Sequence, residues 1–224
     1  MHANFAAALA ATLKHEGGWA DHPKDPGGAT MKGVTLATFR RLVKPDATKD
    51  DLRKITNAQL EAVYRKGFWS QVMADQLPAG VDFAVFDYAV NSGPGRAVKA
   101  LQTIVGAKVD GIVGPETLKA VNAYGDVARL INALCDQRQA FVERLKTWPT
   151  FGKGWTSRIK GVRKLALEMA ATGKEPVPAP TIPPKAEKPH TDDAAAQDGQ
   201  WEIDWFRVGV AVVLGGVFLF AILT

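Results

Sequence analysis

Apolar residues recur at three- and four-residue spacing through most of the first 171 positions. That period predicts helices at about 4–16, 35–43, 57–69, 79–91, 95–105, 115–123, 126–146 and 154–171. Local start signals agree with it: Thr56 with Gln59 reads as a capping box, Gly125 or Asp126 precedes a long amphipathic run, and Pro115 suits a first helical turn. The period fails between residues 19 and 34, where Gly, Asp and Pro accumulate, and turns with a small hairpin are expected there. Gly17 and Gly18, poor continuers of a helix, end the first helical run at Glu16.

Two further stretches carry no amphipathic period. Residues 173–200, "GKEPVPAPTIPPKAEKPHTDDAAAQDGQ", are rich in proline and charge and read as a tether, up to roughly 85 Å long if extended. Val208 to Thr224 is uncharged and apolar all round, about 25 Å long as a helix, or about 30 Å when Trp205, Phe206 and Arg207 are included. A single C-terminal transmembrane helix within residues 201–224 is expected, with Trp201 and Trp205 at the headgroups and Arg207 snorkelling. Ala211 and Gly215 give it a small-xxx-small face on which a weak homodimer is possible. The N-terminal "MHANFAAALAATLKHEGG" has no basic leader and runs into Lys14, His15 and Glu16, so it reads as a domain helix and not a signal peptide.

Composition narrows the class of molecule. The 224 residues are 46% hydrophobic, enough for one ordinary core or two small ones. Cys135 is the single cysteine, so no internal disulfide exists, and its apolar surroundings suit a small buried residue. The net charge of +5 is uneven: residues 1–172 hold 24 Lys and Arg against 16 Asp and Glu, whereas residues 173–224 hold 4 against 7. A basic body favours polyanionic partners, among them nucleic acid, anionic lipid and bacterial cell wall. Lys153, Arg158, Lys160, Arg163 and Lys164 cluster beside Trp148, Phe151 and Trp155, either as a grip on such a partner or as a solvated helix face over core aromatics.

The stretch "HEGGWADHPKDPGGATMKGVT", residues 15 to 35, carries the candidate chemistry. A carboxylate at a helix C-terminus faces the negative end of the macrodipole, and beside Trp19, Phe5, Leu9 and Leu13 it is partly desolvated. Both effects raise the pKa of Glu16, as a general acid near neutral pH requires. Asp25, in an Asp-Pro-Gly-Gly turn, is expected exposed and ionised, and the Thr30 hydroxyl is placed to orient a water. Two carboxyls in unlike environments are the equipment of glycoside cleavage. An ordinary capped helix followed by a turn fits the same spacing.

Other chemistries are excluded. His15-Glu16 opens like a zincin motif, but Trp19 stands where the second histidine belongs, and His2, His22 and His190 show no ligand spacing. "DGIVGPET" lacks the Gly-Lys-Ser/Thr of a phosphate loop, and Cys135 has no thiol-protease context. No nucleic-acid recognition motif is present.

"HEGGW", "DPGGATMKGVT" and "FDYAVNSGPGRAVKALQ" resemble glycoside hydrolase family 108, the bacterial and phage N-acetylmuramidases, and "VDGIVGPETLKAV" resembles the peptidoglycan-binding domain that usually follows it. The likeness covers roughly residues 5 to 170. It implies that Glu16, in a Glu-Gly-Gly-aromatic motif ending in Trp19, is the essential glutamate. The chain is also similar to phage lysozymes, in which an aspartate follows the glutamate by nine residues and a threonine comes next; Glu16 and Asp25 keep that spacing, and Thr30 comes one residue early.

The resemblance implies a mainly α, lysozyme-like helical domain with a small β-hairpin, residues 1–92, followed by a helical peptidoglycan-binding domain, 93–172; composition and hydropathy add the Pro-rich linker 173–200 and the transmembrane anchor 201–224. The resemblance implies a peptidoglycan hydrolase that cleaves the bond between N-acetylmuramic acid and N-acetylglucosamine with no cofactor; the residue pattern offers no metal site, and the apolar C-terminal segment makes the expected enzyme membrane-tethered. Glu16, Asp25 and Thr30 are the expected catalytic set, with Trp19, Asn91 and Ser92 at the substrate. From their own sequence context Asn91 and Ser92 equally suit helix capping. The expected partners are peptidoglycan strands and the bacterial inner membrane, with the body working on the periplasmic wall and no nucleic acid bound. A catalytically silent protein linking wall to membrane is the alternative.

Overall fold

The computed structural model describes residues 3–21 and 28–172, together with two short strands near the C-terminus. Its first helix, α1 (Ala3–Leu13), is followed by a small antiparallel sheet of β1 (Trp19–Ala20), β2 (Thr30–Met31) and β3 (Val34–Thr35) in that spatial order. Next come α2 (Leu36–Leu42), α3 (Lys49–Arg53) and α4 (Asn57–Tyr64). The remaining helices are α5 (Val81–Ser92), α6 (Pro94–Val105), α7 (Pro115–Ala123), α8 (Val127–Glu143) and α9 (Trp148–Ala171). The mainly helical body with a small sheet is as the sequence predicts.

The start signals operate as read. Thr56 accepts from the Gln59 amide while Gln59 caps back, Asp126 accepts from the Arg129 amide, and Pro115 opens α7. Three differences have local causes. The short α3 has too few residues to show a period and is specified by its own capping box, Thr48 with Asp51. The helix expected over 57–69 is α4 only to Tyr64 and then widens into a π-helical stretch, Arg65–Trp69, in which the Ser70 amide reaches the Arg65 carbonyl. This wider turn puts Gly67, Phe68 and Trp69 all inside the core. Helix α9 begins six residues before the pattern, at Trp148, because Pro149 sits in its first turn while Gly152 and Gly154 blur the apolar period.

At the centre lies α5, "VDFAVFDYAVNS", buried from Val81 to Val90. A helix apolar on every side belongs in the middle of a fold. Phe5, Trp69 and Phe86 meet edge to face around it, with ring centroids 5.1 to 6.0 Å apart. Helices α1, α6, α8 and α9 pack on α5, so that one hydrophobic cluster runs from Phe5 to Ala166 and crosses position 92 without a break.

Among the described residues no helix is long and apolar enough to cross a membrane. The linker expected at 173–200 lies outside the described residues, as does the anchor expected at 201–224 apart from four residues. Those four form β4 (Val213–Leu214) and β5 (Val217–Phe218), paired antiparallel with Leu214 opposite Val217. These four residues are strand where uniform hydropathy predicts helix.

Candidate active site

Glu16 sits where α1 has just ended. The amides of Lys14, His15 and Glu16 bond to the carbonyls of Ala11, Thr12 and Leu13, tightening the last turn and aiming Glu16 inward. Its side chain is 1% exposed. Oε1 accepts from Arg158 Nη1 at 3.0 Å, and Oε2, equally buried, has no hydrogen-bond partner among the described residues. Burial pushes the carboxyl pKa above its ordinary value; Arg158 opposes the shift and Asp87 adds to it.

Burial prevails because Arg158 is already engaged. Its Nε and Nη2 donate to the two oxygens of Asp87 at 3.0 and 2.9 Å, leaving only Nη1 for Glu16. Asp87 accepts further from Arg138 Nη1 at 2.7 Å and from the Thr12 hydroxyl at 3.1 Å. Burial alone would raise the Asp87 pKa, but Arg158 and Arg138 outweigh it and hold this carboxyl below the usual carboxylate range. One acid of the cluster is thus locked as an anion, whereas the other is biased toward its protonated form.

The roof of the site is the β2–β3 turn. Lys32 and Gly33 both have positive φ, 47° and 75°, the two-residue turn that matches strand twist. The Lys32 carbonyl accepts from the Tyr64 hydroxyl at 2.9 Å. Gly33 lies so close beneath that an added Cβ would stand 2.6 Å from the Tyr64 oxygen and 2.7 Å from Glu16 Oε2. Burial, and then the Glu16 charge, keep the Tyr64 phenol well above its ordinary pKa, so it stays protonated. Just before Glu16, burial and then Arg158 lower the pKa of His15.

The expected site residues distribute as follows. Thr30 is buried in β2, paired with Ala20 and Thr35, and donates to the Gly28 carbonyl at 3.1 Å. Trp19 is half-buried in β1, with the Arg53 guanidinium 4.3 Å from its ring centre. Asn91 and Ser92 close α5, hydrogen-bonded to each other at 3.2 Å, and Asn91 stands one turn beyond Asp87 on the same face. Neither caps α6, whose N-cap is Gly93 with no side-chain bond. Asp25 lies outside the described residues.

Arg158 departs from its expectation: it is 4% exposed and faces the acid instead of belonging to a surface cluster. Of its expected companions, Lys153 and Lys160 are exposed, Arg163 bonds to Asp136 and Asn132, and Trp155 is buried. The outer face of α9 carries a shallow groove of about 390 Å³ lined by Trp148, Gly152, Lys153, Thr156, Ser157 and Lys160. Asp110 and Gly111 shape a turn: the buried Gln102 donates to Asp110, Thr117 and the Ile112 carbonyl and accepts from the Gly111 amide.

Sequence reasoning passed over Asp87, Arg138, Thr12 and Tyr64. For Asp87 a signal existed, since an acid inside an all-apolar helical run requires internal cations. Among the described residues no cluster of His, Cys, Asp and Glu has the arrangement to hold a metal ion.

Comparison with known proteins decides the family. A family model described as "Glycosyl hydrolase 108" matches residues 9–93, and one described as "Predicted Peptidoglycan domain" matches residues 96–160. The solved structure of Brucella abortus SagA is similar at 47% identity over 75% of this chain and 95% of its own, with a TM-score of 0.67. The chain belongs to glycosyl hydrolase family 108. No curated protein sequence matches it. The family 108 match runs from the second half of α1 through Glu16, the sheet and α5; the peptidoglycan match runs from within α6 through α8 to the part of α9 that carries Arg158. The protein is a glycoside hydrolase with a peptidoglycan-binding region.

Proposed function

We propose that this family 108 hydrolase is an N-acetylmuramidase in which Glu16 is the general acid. The observation that carries the reading is the Glu16 carboxyl itself: buried, biased toward protonation, with one oxygen held by Arg158 and the other without a partner among the described residues. A proton held above the ordinary carboxylate range on a carboxyl fixed in direction favours protonation of a glycosidic oxygen. The bond from N-acetylmuramic acid to N-acetylglucosamine is the proposed target.

Asp25 is the proposed base for the attacking water, with Thr30 orienting that water; the Thr30 hydroxyl donates to the Gly28 carbonyl, which leaves its oxygen as an acceptor. Trp19, stiffened by Arg53, is the proposed sugar platform, and Asn91 with Ser92 the proposed polar border. The uncharged segment Val208 to Thr224 supports tethering to the inner membrane, with the body facing the periplasmic wall.

Digestion of purified peptidoglycan by the wild type and by Glu16→Gln tests this, reading new reducing ends and product masses. Reducing muramic ends from the wild type alone are expected. Cleavage that survives in Glu16→Gln, or products with another reducing sugar, would overturn the assignment.

A further inference from the structure

We propose that the region matched by the peptidoglycan domain is a working part of the hydrolytic site: Arg158, clamped by Asp87, is the positioning residue that occupies Glu16 Oε1 and so assigns the acid proton to Oε2. This inference rests on Glu16 being the acid. Its ground is a chain of buried contacts that crosses the two matched regions. Glu16 and Asp87 belong to the hydrolase match, Arg138 and Arg158 to the peptidoglycan match, and all four side chains are 4% exposed or less.

The fork geometry does the assigning. A guanidinium only donates, so the Glu16 oxygen facing Nη1 must be an acceptor in either protonation state. The proton then resides on Oε2, the oxygen with no partner. Asp87 holds Arg158 by two parallel bonds and is itself held by Arg138 and Thr12, so the guanidinium cannot swing to share both Glu16 oxygens. In the reaction the C–O bond breaks with its electron pair passing to the leaving oxygen, which takes the proton from Oε2. Water bonds to the anomeric carbon, and its proton passes to the second carboxyl. Glu16 ends as a carboxylate, and Arg158 already faces the negative charge that develops.

The groups bearing on Glu16 are Arg158 from α9, Asp87 from α5 with Arg138 of α8 behind it, Tyr64 from α4 and His15 beside it in the chain. Removal of Arg158 and of Asp87 therefore has opposite effects on proton release. Without the cation Glu16 holds its proton to higher pH; without Asp87 it loses a repelling neighbour and meets the undivided charge of Arg158.

The test is the pH dependence of kcat/KM for peptidoglycan cleavage by the full chain and by Arg158→Gln, Arg158→Lys and Asp87→Asn, each checked for folding by circular dichroism and melting. The alkaline limb is expected to move up by about one pH unit or more in Arg158→Gln and down by a similar amount in Asp87→Asn. In Arg158→Lys, which keeps the charge but lacks the fork, the limb is expected to stay within about half a unit of wild type while kcat falls about tenfold or more.

Removing one member of a buried pair endangers folding, and Arg158→Lys is the variant that keeps the charge balance. Full kcat in Arg158→Lys, or unmoved limbs in whichever of the other variants fold, would overturn the proposal. If Glu16→Gln itself cleaves, it is the functional reading that fails; if Glu16→Gln is inactive and the limbs stay put, only the role of Arg158 fails.

Discussion

Gly33→Ala isolates the contact between the hairpin turn and the acid. Two effects add there. The residue is in the left-handed region at φ +75°, where a side chain costs about 1 to 2 kcal/mol. The new methyl would also stand 2.6 Å from the Tyr64 oxygen and 2.7 Å from Glu16 Oε2. Neither neighbour yields freely, since Tyr64 is fully buried and bonded to the Lys32 carbonyl, and Glu16 is tied to Arg158. Overpacking of this kind adds about 1 to 3 kcal/mol. Gly106→Ala is the control: φ is +70°, and nothing lies within 4 Å of the added atom, so only the backbone cost applies. At about 2 to 4 °C per kcal/mol for a body of this size, Gly106→Ala should lower Tm by about 2 to 8 °C, and Gly33→Ala by about 4 to 20 °C. Activity separates them further, because moving the acid by about 1 Å costs about a hundredfold in rate. Gly33→Ala should lose cleavage at a temperature where both variants are folded, whereas Gly106→Ala retains it. Equal melting shifts together with full activity in both would refute the idea that this turn seats the carboxyl.

Three further outcomes are expected. The folded state holds the Glu16 proton above the ordinary carboxylate pKa, so this group's contribution to stability falls as pH rises from the unfolded value through the folded one. The melting difference between Glu16→Gln and wild type should therefore grow in favour of the variant between pH 4 and pH 8, and a difference independent of pH would contradict the buried, protonated acid. Cys135 is buried with its thiol pushed up to about 11 by burial, so a thiol-specific disulfide reagent at pH 8 should label it slowly in the native protein and at once in denaturant; rapid native labelling would place it at the surface. Gln102→Leu removes the hub of the Asp110–Ile112 loop and leaves the Gly111 amide and the Thr117 hydroxyl without that partner, so a loss of about 2 to 3 kcal/mol in denaturant unfolding and faster amide exchange in the loop are expected. Unchanged exchange there would mean that the loop holds itself.

Local chemistry made much of this fold legible. Capping residues and prolines fixed the starts of α4, α7 and α8, and apolar spacing fixed the central helices, because these signals act within one or two turns of chain. Glu16 was legible for a similar reason: a helix end, two glycines and an aromatic are neighbours in sequence. Arg158 was not. In sequence it is one cation among five, and only the way α9 turns against α5 separates it from Lys153 and Lys160, a packing decision that involves Asp87, 71 positions away. The width of the π-helical stretch after Tyr64 was hidden too, since one added residue per turn disturbs the apolar period without erasing it.

The ion pair of Glu16 with Arg158 joins positions 142 residues apart. On a ribosome adding about 5 to 20 residues per second, about 7 to 30 s separate the synthesis of the two partners. A nascent chain throughout that interval, and a prematurely terminated one permanently, carries the acid without its counter-charge. Under the proposed role of Arg158, the order of synthesis thereby sets the order of competence: the site is chemically complete only when α9 has emerged and docked.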